Sequence, residues 1–288
     1  VIRRLFALDT FIEITAFTSR PRAFNRHVDT LFTRIGEIES RLSVTRRGSE
    51  VARLNDAGDT TVAVSALLDT LLERSRDEWR RSGGAFDVSV APLKRVWGMY
   101  GGDTPSVPAQ WERLRALGRV GMAYIERVGP GRYRIENRAN VDLGGIAKGY
   151  VLEMAARFLR ARRCSSFIVN AGGDVYVSGR KKKGRPWRVA VAHPRRSGEF
   201  LAIVRTADRA IVTSGDYERY FIHEGKRYSH ILDPRSGFPC GTNRSVTVVG
   251  ADPVAVDAAA TAAFCMAGPA ALSWLHERSM AGLIVDSS

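Results

Sequence analysis

Residues 140–150 of the chain read Asn-Val-Asp-Leu-Gly-Gly-Ile-Ala-Lys-Gly-Tyr. A β-prone run reaches Leu143, two glycines then allow a tight turn, and helical spacing follows over 146–163. The stretch therefore predicts a strand, a turn and a helix. Asp142 at the strand end and Lys148 in the first helical turn flank bare backbone with free N–H groups. A glycine pair taken alone favours a structural turn over a binding site.

The remainder of the chain alternates between strand and helix patterns. Apolar residues keep helical spacing over 22–42 and 65–81, and a helix of small residues begins at Asp252. Strand patterns interleave with these helices, including one from Leu5 to Phe17, and no repeat or linker divides the chain. We predict an α+β (mixed α/β) fold, a compact unit of interleaved strands, hairpins and helices that spans 1–288 as a single domain.

Two further combinations of glycine and acid occur at predicted strand ends. Residues 83–93 place two glycines before a β-branched run that contains Asp87, and residues 170–174 read Asn-Ala-Gly-Gly-Asp after a predicted buried strand. Glycine allows a ligand to approach the backbone, but it serves tight turns equally well. A turn and a ligand contact are equally compatible with 83–93.

The charge balance points to an anionic partner. The chain has 44 Lys and Arg residues against 30 Asp and Glu residues, a formal charge of +14, which suits nucleic acid, lipid headgroups or a phosphorylated ligand. The densest basic run, residues 180–185, is interpreted as a solvated hairpin tip, because no aromatic residues alternate with its bases. The usual nucleic-acid recognition motifs do not occur, so no nucleic-acid partner is expected.

The cysteine spacing and the hydropathy of the chain further limit the classes of protein to which it can belong. Cys164, Cys240 and Cys265 are odd in number, widely spaced and without metal-ligand spacing, so we predict no disulfide framework. No uninterrupted apolar run of about 18 residues occurs, and no transmembrane segment is expected. The sequence begins at Val1 without a signal-peptide pattern, which leaves the compartment open.

Asp257 and Thr261 are four residues apart in a run of Ala, Val and Cys, so a helix would place both on one face. Burying a carboxylate and a hydroxyl on an apolar face costs free energy unless both groups have hydrogen-bond or metal partners. Oxygen atoms of this kind are suitable ligands for Mg²⁺. The alternative is an acid near the helix start and a threonine bonded back to its own helix.

His230 is a further candidate for chemistry. It precedes Asp233-Pro234 and Gly237, which enforce a sharp turn, and a base there can serve a hydroxyl nucleophile; a hydrogen-bonded core imidazole is the ordinary alternative. The chain has no Gly-x-Ser-x-Gly elbow, no paired Cys and His, no Gly-x-Gly-x-x-Gly fingerprint and no Walker-type loop. Those absences argue against hydrolase triads, Rossmann dehydrogenases and P-loop enzymes.

Six motifs follow one another along nearly the whole chain, each weak by itself. They are Gly84-Ala85-Phe86-Asp87-Val88 with Pro92-Leu93 and Trp97-Gly98, Val141 to Tyr150, Asn170 to Asp174, Thr213 to Arg219, His230 to Pro239, and Asp257 to Ala262. In this order they resemble the FAD:protein FMN transferases, also called the ApbE or thiamine-biosynthesis-lipoprotein family.

The resemblance implies a Mg²⁺-dependent enzyme that binds FAD, cleaves its diphosphate, releases AMP and attaches FMN by a phosphoester to a Ser or Thr hydroxyl of a target protein. Carried over by position, the metal ligands would be the Gly145 carbonyl, Asp257 and Thr261. His230 is the candidate base for the acceptor hydroxyl, and Asp257 is a candidate assisting base. The FAD contacts would be Leu8, Ala85, Phe86, Asp87, Asp142, Lys148 and the backbone around Leu232.

Two positions depart from the family pattern. Leu8-Asp9-Thr10 stands where the family usually has Met-Gly-Thr, and Thr45 stands where a Tyr often follows the first long helix. Leu8 retains an apolar flavin contact, whereas the missing aromatic at 45 bears on flavin stacking.

The same groups would also suit an FAD-binding protein or an FAD pyrophosphatase that gives FMN and AMP. Family members are typically periplasmic or cell-envelope proteins, but the chain shows neither leader nor lipobox, so a soluble cytoplasmic form is also compatible.

Overall fold

The computed structural model describes residues 1–100 and 104–287. Helices and strands alternate along them, which confirms the predicted mixed α/β class. The helices are α1 Pro21–Leu42, α2 Glu50–Asp56, α3 Ala66–Arg81, α4 Ala91–Val96, α5 Gln110–Leu117, α6 Ala147–Ala161, α7 Pro253–Phe264 and α8 Gly268–Glu277. The strands are β1 Ile2–Ala7, β2 Thr10–Ala16, β3 Val62–Ala63, β4 Ile125–Gly129, β5 Arg132–Ile135, β6 Phe167–Ala171, β7 Asp174–Ser178, β8 Trp187–Ala192, β9 Phe200–Thr206, β10 Arg209–Gly215, β11 Tyr220–His223, β12 Lys226–Ser229, β13 Asn243–Gly250 and β14 Ala281–Asp286.

A seven-stranded antiparallel sheet, in the order β1-β2-β6-β7-β10-β13-β14, supports the rest of the chain. Alternate residues such as Ile12 and Ile14 are buried on the face that packs against the helices, as the period of two along a strand requires. On that face α6 packs against β6 and β7, and α7 packs against β10 and β13. The sheet thereby holds α6 and α7 side by side.

Smaller sheets surround this core. Strands β3, β5 and β4 form a three-stranded sheet, and β11 pairs with β12 in a hairpin that turns at Glu224 and Gly225. Strands β8 and β9 pair with each other, and Trp187 packs on Val175 and Val177 on the outer face of the large sheet. None of the described helices is long and apolar enough to cross a membrane.

The continuous strand predicted from Leu5 to Phe17 was wrong. The chain reverses at Leu8 and Asp9, whose φ angles are 55° and 57°, and Ala7 pairs with Thr10 across the turn. Two successive residues with positive φ are typical of the two-residue turns that match the twist of a hairpin. The Leu8 turn therefore lies at a sheet corner instead of inside a strand.

The strands predicted before Leu143 and within 83–93 were also wrong. A single parallel bridge joins Val90 to Asn140, and residues 91–96 are helical. The two segments run side by side, and the Asp142 N–H donates to the Val88 carbonyl at 2.7 Å. Apolar residues of both segments are part of the main hydrophobic core, and burial without a strand gives the same hydrophobic signal as a buried strand.

Two more predictions from turn and cysteine patterns were wrong. Residues 180–185 connect β7 to β8 in different sheets and are not the tip of a hairpin. Cys240 and Cys265 form a disulfide with their Cα atoms 5.1 Å apart, while Cys164 is free. The bridge joins segments 25 residues apart that become neighbours only when the chain folds.

Candidate active site

The first turn of α6 meets the first turns of α7 at very close range. A Cβ at Gly149 would lie 2.5 Å from the Pro253 carbonyl oxygen and 2.7 Å from the Asp257 Cβ. This contact lets the Gly149 N–H donate to Asp257 Oδ2 at 2.7 Å. The N-terminal N–H groups of a helix have no partner within the helix, so this one is free to hold the carboxylate.

The Gly144-Gly145 corner brings Gly145 beside Thr261. A Cβ at Gly145 would lie 3.3 Å from Thr261 Oγ1 and 3.1 Å from Phe86 Cε2. The Thr261 hydroxyl makes one long bond, 3.4 Å, to the Asp257 carbonyl of its own helix, and its oxygen lone pairs are available. The three sequence-predicted metal ligands, Gly145, Asp257 and Thr261, thus lie at one junction of the corner with α7.

The donor set at this junction fits Mg²⁺. Asp257 is 3 % exposed. Among the described residues, the Gly149 N–H is the one group that donates a hydrogen bond to its carboxylate. Burial and the nearby Asp174 carboxylate raise the pKa of Asp257 to about 7, a penalty that a divalent cation would offset. The described residues contain no group of three or more His, Cys, Asp or Glu side chains suited to a metal, so an ion here would rely on mixed oxygen ligands and water.

Lys148 projects from the first turn of α6 towards the acids of this site. It forms an ion pair with Asp174, which is 1 % exposed and follows the Gly172-Gly173 turn. Burial alone would lower the pKa of Lys148, but Asp174 and Asp257 outweigh it and raise that pKa above its ordinary value. Lys148 is therefore a fixed positive charge beside the predicted metal ligands.

Asp142 is held almost entirely by the protein. Its Oδ1 accepts from the Gly144 N–H at 2.7 Å, and its Oδ2 accepts from Lys94 Nζ and from the Tyr100 hydroxyl, each at 2.8 Å. Burial would raise the pKa of Asp142, but Lys94 and these hydrogen bonds lower it, so the carboxylate is ionised. The side chain fixes the glycine corner, and its predicted FAD contact remains a prediction.

Residues Ala85, Phe86 and Asp87 are buried beneath the corner. Asp87 Oδ1 accepts from the Ser89 N–H and hydroxyl, and Oδ2 accepts from the Met122 N–H. Burial raises the pKa of Asp87. Its carboxylate therefore holds a local turn, and the predicted ligand contacts of 85–87 remain predictions.

His230 begins the loop that follows β12. Its N–H and its Nδ1 both lie within hydrogen-bond distance of the Arg219 carbonyl oxygen, at 3.0 Å and 3.1 Å. Because a carbonyl can only accept, this geometry assigns the ring proton to Nδ1 and leaves Nε2 as an acceptor. Burial and the positive charge of Lys94 lower the pKa of His230 to about 3, so the ring is neutral near pH 7.

The loop from His230 to Cys240 is tied to two helices. Leu232, 5 % exposed, packs with Leu93 and Trp97 near α4, and the Trp97 indole N–H donates to the Gly237 carbonyl at 2.9 Å. The Cys240–Cys265 disulfide ties the other end to the residue that follows α7. Leu232 and Thr261 therefore belong to one cross-linked unit.

The Leu8 turn is connected to His230 by a short chain of contacts. Its N–H donates to Glu39 Oε1 at 2.7 Å, and the neighbouring Asp9 pairs with Arg219, whose carbonyl contacts His230. Thr45 lies in the loop after α1 and contacts the Ser43 hydroxyl at 3.4 Å. The structure thus connects the predicted Leu8 contact with the His230 segment through Arg219.

Sequence reasoning missed four residues that shape this site. Gly149 and Asp174 lie inside quoted motifs, and the two glycines directly before Asp174 are a signal that could have singled it out. Lys94 and Tyr100 fall outside any pattern that distinguishes them from surface residues, and only their approach to Asp142 reveals them.

Comparison with known proteins shows the family of the chain. The sequence matches the ApbE family over residues 8–284. It is 31% identical over 294 residues to the FAD:protein FMN transferase of Treponema pallidum, covering 96% of this chain and 81% of that protein, and 33% identical over 235 residues to one from Vibrio cholerae, covering 80% and 70%.

Solved structures are similar over nearly the full length. The crystal structure of the ApbE protein from Thermotoga maritima has a TM-score of 0.92 and 32% identity, covering 99% of this chain and 94% of that one. The apo flavinyl transferase ApbE of Pseudomonas stutzeri has a TM-score of 0.89 and 25% identity, covering 100% and 92%. Because the family match spans residues 8–284 and relatives above 30% identity are covered over more than two thirds of their length, this chain belongs to the ApbE family.

Proposed function

We propose that this chain is a Mg²⁺-dependent FAD:protein FMN transferase that transfers FMN to a Ser or Thr hydroxyl of a target protein and releases AMP. The observation that carries the proposal is the junction of Gly145, Asp257 and Thr261 beside the fixed charge of Lys148. Oxygen ligands and an ammonium group at one point suit a diphosphate with a bound cation. The names of the curated relatives support the same activity.

The Gly145 carbonyl, the Asp257 carboxylate and the Thr261 hydroxyl would hold Mg²⁺. The ion would supply positive charge to the diphosphate as negative charge develops on the leaving AMP. Lys148 adds a second charge there, and Leu8, Ala85, Phe86, Asp87, Asp142 and Leu232 are the proposed FAD contacts. These residues extend from the first strands to α7, so we also propose that the chain acts as one catalytic domain.

His230 is the proposed base. In the transfer, the acceptor oxygen forms a bond to the phosphorus on the FMN side, the bond between that phosphorus and the bridging oxygen breaks, and AMP leaves with that oxygen. The acceptor proton passes to Nε2 of His230, since Nδ1 is engaged with the Arg219 carbonyl. The anionic diphosphate offsets the lysine charges that lower the pKa of His230, and so strengthens the base once substrate is bound.

The test incubates the protein with FAD, Mg²⁺ and a target-domain fragment, and measures both AMP and the mass of the fragment. We expect AMP release and a mass gain of one FMN per fragment, both lost in Asp257→Ala. AMP without a mass gain would favour the FAD pyrophosphatase alternative. If neither product forms, both enzymatic interpretations are wrong, and near-normal turnover in Asp257→Ala would remove Asp257 from the site.

A further inference from the structure

Lys94 is a partly buried cation that has no role in the proposed reaction. It lies on α4, its side chain is 18% exposed, and its Nζ donates to Asp142 Oδ2 at 2.8 Å. Burying an ammonium group is costly, so such a group either completes a structural ion pair or serves a ligand. The surroundings of Asp142 distinguish these roles.

Asp142 has other partners besides Lys94. The Tyr100 hydroxyl donates to the same oxygen, and the Gly144 N–H donates to the other. A lysine ammonium carries three donors, and Asp142 is the one acceptor that Lys94 contacts within the described residues. Two of its N–H donors are therefore free to bind another acceptor.

The free donors lie next to the glycine corner. A Cβ at Gly144 would be 3.5 Å from Lys94 Nζ, so the ammonium group lies beside Gly144 and next to the Gly145 carbonyl proposed as a metal ligand. Lys148 lies in the first turn of α6, three residues beyond Gly145. The two lysines, which come from α4 and α6, therefore flank the glycine corner.

Two ammonium groups beside one backbone corner repel each other unless an anion lies between them. Asp142 forms an ion pair with Lys94, and Asp174 forms one with Lys148, so each lysine is held in place by a carboxylate of the protein. An anionic ligand between the lysines would complete the arrangement. A diphosphate carries several acceptor oxygens and can contact both ammonium groups at once.

We propose that Lys94 is a further substrate-binding residue, which together with Lys148 binds the diphosphate of FAD. This inference rests on the proposed function, because it takes FAD as the ligand. Lys94 acts as a point charge beside Gly144, and Asp142 holds it there.

The experiment measures FAD binding by quenching of flavin fluorescence over a range of salt concentrations. For Lys94→Gln we expect a Kd for FAD that is roughly 10- to 100-fold higher at low salt, as for loss of a hydrogen bond between charged groups. We also expect a shallower dependence of log Kd on log salt, because one screened charge contact is gone. Lys94→Arg should retain most of the affinity and the steeper salt dependence.

Tyr100→Phe is the matched control, because it removes a neutral hydrogen bond to the same Asp142 oxygen. It should leave the salt dependence at the wild-type slope. If Lys94→Gln raises Kd with an unchanged slope, Lys94 acts only through Asp142 and the proposal is wrong. An unchanged Kd would overturn it equally.

A second comparison covers the case in which Lys94→Gln fails to fold. Asp142→Asn removes the buried carboxylate, so Lys94→Gln can be added to that background without leaving an unpaired charge. The added substitution should again weaken FAD binding and flatten the salt dependence, and equal behaviour of the two variants would refute the proposal. Wild-type FMN transfer measured in parallel separates this outcome from failure of the proposed function, which would abolish transfer in every variant.

Discussion

The backbone N–H of Gly149 donates a 2.7 Å hydrogen bond to Oδ2 of Asp257, joining the start of α6 to the start of α7. The two residues are 108 positions apart in sequence. No side chain other than hydrogen fits at 149, because any Cβ there would collide with the Pro253 carbonyl. Helix packing at this point therefore determines where the carboxylate of the site lies.

Gly149→Ala should destabilise the protein by about 2 kcal/mol or more, as overpacking of a close contact does. It should also reduce Mg²⁺-dependent transfer, because Asp257 shifts with α7. Gly36→Ala is the matched control, since a Cβ at this α1 glycine meets nothing within 4 Å. That change should stabilise by up to about 1 kcal/mol through helix propensity. Urea denaturation compares the two, and equal stability would contradict the packing argument.

Thr261→Val should raise the Mg²⁺ concentration for half-maximal AMP release by at least about tenfold, a loss typical of a disturbed metal site. Valine keeps the shape of threonine and removes the hydroxyl. The unfolding free energy should change little, because the hydroxyl makes one long intrahelical bond of 3.4 Å. Thr261→Ser restores the oxygen and should recover the wild-type Mg²⁺ requirement. An unaltered Mg²⁺ titration in Thr261→Val would exclude this hydroxyl as a ligand.

His230 should contribute less to the free energy of unfolding in acid than it does near neutral pH. The pKa of His230 is about 3 in the folded protein against 6.5 for the unperturbed group, so the unfolded chain binds the proton more tightly. The contribution to stability is complete above pH 6.5 and is lost as the pH falls towards 3. The difference in unfolding free energy between wild type and His230→Asn, measured from pH 8 down to the acid limit of folding, should follow this course. A difference independent of pH would contradict a His230 ring that is neutral in the folded protein.

Removal of the Cys240–Cys265 bridge should destabilise the protein by about 3 kcal/mol, as the entropy of closing a loop of this length predicts. Weaker FAD binding should accompany the loss, because the loop that carries Leu232 is no longer tied to the end of α7. The Cys240→Ala/Cys265→Ala variant tests both effects by denaturation and FAD titration, with Cys164→Ala as the control that leaves the bridge intact. Thiol titration of the denatured, unreduced protein should find one free cysteine, and a count of three would show that the bridge is absent.

Local patterns in the sequence were sufficient to predict the long helices and to find the motifs in their order. The apolar spacing over 22–42 and 65–81 reproduces α1 and α3, and the helix predicted from Asp252 is α7, whose N-cap is Asp252. These elements depend on near neighbours, and their period of 3.6 residues is visible in any one stretch. The glycine pair before α6 likewise marked the corner of the candidate site before any tertiary contact was known.

Tertiary structure alone determined which groups meet at that corner. The strand pattern through Leu8 concealed a hairpin turn, and widely spaced cysteines concealed a disulfide, because turns with positive φ and cross-links depend on what the chain packs against. Lys94 reaches Asp142 across 48 residues, and Gly149 reaches Asp257 across 108. Sequence by itself determined the long helices, the motifs and the chemical types available, because these follow from local periodicity and composition. The sheet determined the rest, because only by holding α6 against α7 does it bring an acid, a hydroxyl and a bare carbonyl within reach of one another.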